Sequence, residues 1–129
     1  MQWSCIDFDP FTSNFFVAAH STNAKYDDPA FIMHDQHGGF VWAKTLKDNG
    51  VATYKVDLSC FITPKSNIFV QLTERSPLDI VILKLSINGD LLLLKDWGPS
   101  GVVKTLDLYQ ASMLVGDTAE NVYLAMPAL

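Results

Sequence analysis

The chain has 129 residues, 49% of them apolar and only 18% charged, below the roughly 25% charge of an average soluble domain. That composition excludes intrinsic disorder and fits one domain with enough bulk for a real core. Nine Lys and Arg against 14 Asp and Glu give a net charge of −5, which argues against tight binding to nucleic-acid phosphates or anionic lipid.

The N-terminal stretch Met1-Gln2-Trp3-Ser4-Cys5-Ile6-Asp7-Phe8 carries no basic leader and reads as a first strand rather than a secretory signal. No apolar run approaches the length needed to cross a bilayer. The expectation is a soluble, cytoplasmic or intracellular chain without membrane insertion, unless it is a piece of something longer. Cys5 and Cys60 form no CxxC and no zinc-ligand spacing, and a lone pair in such a chain reads as two buried thiols rather than a disulfide framework.

Beyond the first strand the sequence repeats. Ser13-Asn14-Phe15-Phe16-Val17-Ala18 returns as Ser66-Asn67-Ile68-Phe69-Val70-Gln71 and again as Glu120-Asn121-Val122-Tyr123-Leu124-Ala125, at spacings of 53 and 54. Asp28, Gly38, Lys44 and Gly50 return as Asp79, Gly89, Lys95 and Gly101, each 51 residues on. The shortening falls where His20 to Asp27 becomes Thr73 to Leu78, as a surface loop allows.

The second copy gives four strand-like runs: Ala52 to Ile62, Asn67 to Thr73, Ile80 to Ile87 and Leu91 to Trp97. Pro64-Lys65-Ser66, a Pro77-containing loop and Asn88-Gly89-Asp90 break them. Asn88-Gly89 between apolar runs predicts a hairpin with a type I′ turn, and His37-Gly38-Gly39 stands at the same place in the first copy. Val102 to Leu108 reads as strand, and no segment reads as a convincing helix. Ile80 to Leu83 and Leu91 to Leu94 are apolar without alternation, which predicts strands buried on both faces. Sheets of successive copies must then stack face on face. The reading is all-β: four-stranded antiparallel blades over about 1–48 and 51–98, and a half blade over about 102–129.

These stretches resemble the SBBP-type β-propeller repeat. Gly38-Gly39-Phe40-Val41-Trp42-Ala43-Lys44 and Asn88-Gly89-Asp90 with Lys95-Asp96-Trp97 match its hairpin-and-Trp portion. Asn14-Phe15-Phe16-Val17, Asn67-Ile68-Phe69-Val70 and Asn121-Val122-Tyr123-Leu124 match its Gly-Asn-Val-Tyr-Val portion, with Ser13, Ser66 and Glu120 in place of the Gly. Lys84 keeps a lysine of the third strand where the first copy has Met33. The resemblance implies a partial β-propeller with a scaffolding or interaction role. Propellers close with four to eight blades, so two blades and a half leave open faces to be covered by protein partners or identical chains.

His34-x-x-His37 with Asp35 and His20 has metal-ligand residue types, but a site needs three or four convergent donors, and the matching residues of the second copy are Leu85 and Asn88. Asp27-Asp28 and Asp35 lack a calcium-loop pattern. Trp3, Trp42 and Trp97 do not recur at one repeat position, so they read as packing residues rather than sugar platforms. Asp28 and Asp79 read as acceptors of backbone N–H groups at loop-to-strand junctions. No nucleophile–base pattern or phosphate-cradling loop is present. The expectation is a non-catalytic structural or interaction subunit, or a fragment of a longer propeller, with no cofactor and no metal. Its partner-binding residues are expected to be Trp3, Ile6 and Phe8 on the first strand and Val122, Leu124 and Met126 on the last. The competing class is a carbohydrate-binding module built as a ring of identical chains.

Overall fold

A computed structural model of the chain describes residues 2–22, 27–45, 56–75, 78–97 and 113–125. Ten strands and no helix occur among them: β1 (Gln2–Phe8), β2 (Phe15–Thr22), β3 (Asp27–His34), β4 (Phe40–Thr45), β5 (Val56–Ile62), β6 (Ile68–Arg75), β7 (Leu78–Leu85), β8 (Leu91–Trp97), β9 (Met113–Gly116) and β10 (Val122–Ala125). They form two four-stranded antiparallel sheets, β1-β2-β3-β4 and β5-β6-β7-β8, and a two-stranded sheet of β9 and β10. The segment 102–108 lies outside the described residues.

Register sets which side chains share a face. In the first sheet Asp7, Phe16, Met33 and Trp42 stand in one row across the four strands, and Phe8, Phe15, His34 and Phe40 stand in the adjacent row on the opposite face. Because successive residues of a strand alternate sides, Phe16, Ala18, Phe31 and Met33 point together towards the second sheet. There they meet Ile62, Ile68, Val70, Leu72, Val81, Leu83 and Leu85 in one buried cluster. The other face of the second sheet carries Phe69 and Ile82, which pack with Phe61 and Val122. The three sheets are therefore stacked in chain order, the second using one face for the first sheet and the other for the third.

The apolar runs of β6 and β7 account for this double burial. Ile68, Phe69 and Val70, and then Val81, Ile82 and Leu83, are each at most 7% exposed, as expected for β-branched and aromatic side chains between two layers. The quartet Leu91–Leu94 differs from expectation, being 37–53% exposed. It forms β8, the outer strand of its sheet, and β4 at the same position exposes Phe40 and Val41.

The hairpins stand where the sequence puts them, but the turn type differs. Gly89 N–H donates to Ser86 O at 2.9 Å and Ser86 N–H to Asp90 O at 2.8 Å, while Gly89 alone of the Asn88-Gly89 pair has positive φ, at 86°. This is a three-residue loop in which a turn over Ile87 and Asn88 ends in a left-handed residue, rather than a two-residue type I′ turn. Strand β7 consequently stops at Leu85, and Ser86 and Ile87 belong to the turn.

Candidate interaction surfaces

Three turns at one end of the stack share a construction. The turns after β1, β5 and β9 begin at Asp9, Thr63 and Asp117, and end in a left-handed residue followed by an asparagine. The left-handed residues are Ser13 (φ 60°), Ser66 (61°) and Glu120 (67°). Glycine takes this conformation without steric cost, whereas a serine or glutamate does not. Two of the three side chains have work to do. Ser66 Oγ donates to Asp9 Oδ1 at 2.6 Å. Glu120 Oε1 accepts from Thr63 Oγ1, and its Oε2 accepts from Asn67 Nδ2 at 2.9 Å and pairs with Lys84 Nζ at 3.1 Å. The left-handed residue of each later turn thus reaches back to the opening residue of the turn before it. Ser13, in the first turn, is exposed.

These contacts set the electrostatics. Burial works to raise the carboxyl pKa of Asp9, but hydrogen bonds from Ser66, Thr12 and the Phe11 and Thr12 backbone outweigh it and hold the group below its ordinary value. Glu120 follows the same logic: burial opposes ionisation, and donors from Thr63, Asn67 and Lys84 win. Asp117 is lowered by the side-chain and backbone N–H groups of Asn121 and by Tyr123 Oη, with burial opposing. All three are anionic at neutral pH.

The face of the first sheet turned away from the second is apolar. Its row Phe8, Phe15, His34 and Phe40 brings Phe8 and Phe15 to 5.9 Å between ring centroids and stacks Phe15 on His34 at 4.9 Å. Phe40 is 70% exposed, and Ile6 and Phe8 are 58% exposed. Ile6 and Phe8, singled out from sequence, therefore stand on an open face. Trp3 lies on β1 opposite Ala19, just before a bulge.

At the far end of the stack Val122 is half-buried and packs towards Phe69 and Ile82. Leu124 lies in register with Leu114, and Met126 lies outside the described residues. Exposure on this sheet belongs to Val115 and Tyr123, at 46% and 55%, which are register partners. Sequence reasoning missed them, along with Phe15 and Phe40. The signal was alternation: in β10, Tyr123 and Val122 must face opposite ways.

Cys5 and Cys60 form a disulfide with Cα atoms 5.9 Å apart, correcting the expectation of two thiols. Cys5 faces the second sheet and Cys60 faces the first, a relation that only the stacking reveals. Asp35 accepts from the N–H groups of His37 and Gly39, both at 2.8 Å, and so closes its own turn. Trp42 is packed in the buried cluster, with its indole against Gly89. Asp28 and Asp79 each sit one residue inside a strand. No group of three or more His, Cys, Asp or Glu among the described residues is arranged to hold a metal ion. Compared with known protein families the sequence matches none, and no curated protein is detectably similar to it.

Proposed function

We propose that the chain is a non-catalytic structural module, a partial β-propeller of the SBBP-type repeat whose blade faces and terminal strands bind protein partners. One observation carries the reading. By repeat position, Phe8, Phe15, His34 and Phe40 correspond to Ile62, Ile68, Leu85 and Leu91. In the second sheet Ile62, Ile68 and Leu85 are buried against the first, whereas Phe8 and Phe40 are mainly exposed. A contiguous apolar row of this kind marks an interaction site in a soluble protein. Stacked antiparallel sheets of about 50 residues are the building plan of a propeller.

The test is a photo-reactive phenylalanine analogue placed at position 40, on the open face, and separately at position 65, in the solvent-facing turn after β5. In the cells that make the protein, a discrete adduct with a protein at position 40 and none at position 65 is the expected result. A chain that forms no protein adduct at position 40 but is retained on a sugar matrix would instead favour the carbohydrate-binding reading.

A further inference from the structure

The two junctions within the chain differ in chemistry. At the first, a serine hydroxyl on the left-handed residue (Ser66) donates to an aspartate opening the preceding turn (Asp9). At the second the polarity is reversed: a carboxylate on the left-handed residue (Glu120) accepts from a threonine opening the preceding turn (Thr63). Two positions of the same series have no counterpart within the described residues. Among the described residues no earlier turn offers an opening residue for the left-handed Ser13 to reach, and no later turn offers a left-handed residue to reach back to Asp117, whose own turn ends in Glu120. Ser13 and Asp117 are a matched pair of the Ser66 and Asp9 kind.

The surfaces beside them match as well. Val122 packs into the cluster of Phe69 and Ile82. By repeat position Phe15 stands where Val122 does, and Tyr123 stands where Phe69 does. We infer that the open face of the first sheet is covered by the third sheet of a second copy of this chain, docked head to tail, with Ser13 of one copy reaching Asp117 of the other. This rests on the propeller-like stacking proposed above and names its partner. The interface repeats one that already exists inside the molecule, with Phe8 and Phe15 laid on Val115 and Tyr123. It is heterologous, so it extends or closes into a ring according to the rotation per copy. Asp117 Oδ2 now accepts from Tyr123 Oη at 3.1 Å, the longest of the hydrogen bonds to this carboxylate. The incoming serine hydroxyl takes that place.

The two internal junctions also supply the test, because their donor and acceptor can be exchanged. Ser13→Glu sets a carboxylate against Asp117, and Glu120 demonstrates that glutamate is accommodated at this backbone conformation. Adding Asp117→Thr recreates the Glu120 and Thr63 pairing. Sedimentation velocity on the full chain over a range of concentrations should give concentration-dependent association. Ser13→Glu should weaken it about tenfold or more, and Ser13→Glu with Asp117→Thr should recover most of the loss. Tyr123→Asp, on the exposed face of the third sheet, should also abolish it and serves if Ser13→Glu fails to fold. A wild-type chain that stays monomeric, or an association indifferent to Ser13→Glu and Tyr123→Asp, overturns the inference. A position-40 adduct with a different protein overturns it too, while leaving the interaction-module reading intact.

Discussion

Trp42 Nε1 donates to the backbone carbonyl of Ile87 at 2.9 Å, across 45 residues of sequence. The bond ties the outer strand of the first sheet to the last turn of the second. Around it, the Trp42 ring lies 6.2 Å from the ring of Phe16, and Lys44 pairs with Asp90 at 3.5 Å on the exposed side. Trp42→Phe keeps most of the ring contact and loses the bond, which should cost about 1–2 kcal/mol. Trp42→Ala should cost about 3–5 kcal/mol. Urea unfolding of the two variants reads the difference.

The same ring separates two glycines of equal backbone conformation. Gly38 and Gly89 both have φ of 86°, but a Cβ on Gly38 would meet nothing within 4 Å, whereas one on Gly89 would come within 3.1 Å of the Trp42 ring. Gly38→Ala should therefore cost about 1 kcal/mol, the conformational penalty alone. Gly89→Ala should cost about 2–3 kcal/mol, since the indole must also move. Thermal melting midpoints in that order would check it.

Reducing the Cys5–Cys60 bond reopens a connection between residues 55 apart in sequence. Chain-entropy reasoning for a loop of that length puts the loss at about 4 kcal/mol. Unfolding curves with and without reductant, repeated on Cys5→Ser with Cys60→Ser, should agree with each other and fall below the oxidised protein.

Stability should decline in acid. The carboxyls of Asp9 and Glu120 are held below their ordinary values of 3.8 and 4.5 in the folded chain, so the unfolded chain takes up protons first. Their contribution is complete above those ordinary values and is lost as pH falls through the lowered folded values. Urea midpoints should hold steady from pH 7 to 5 and drop below about pH 4. Glu120→Gln should lower the midpoint at pH 7 and shrink the acid-induced drop.

Strand positions were legible because they depend on local pattern. The repeat at 51–54 residues fixed the hairpins, and the unbroken run at Ile80 to Leu83 announced a strand between two layers. Leu91 to Leu94 carries the same pattern yet forms an outer strand, because hydrophobicity does not say where a sheet ends. The disulfide was illegible for a related reason: Cys5 and Cys60 meet only once two sheets are stacked. The contacts of Ser66 and Glu120 had a visible trace in the sequence, since both occupy the position where the resembling repeat carries glycine. In the structure each of these side chains is held by the turn of the preceding sheet. Val122 and Tyr123 show the limit most simply, as a one-residue difference decides which side chain meets the core and which meets solvent.

The two junctions are fastened unequally. Between the first and second sheets lie the disulfide, the Trp42 bond and a cluster of eleven buried side chains. Between the second and third lie the small cluster around Phe69 and Ile82 and the polar contacts of Glu120. The molecule thus has one welded seam and one buttoned seam. Amide protons of β9 and β10 should exchange with solvent well before those of β2, β6 and β7, and the third sheet should detach from an otherwise folded pair. Any partner gripping Tyr123 would press the buttoned seam shut, so its arrival would register as slowed exchange on a sheet that it does not itself belong to.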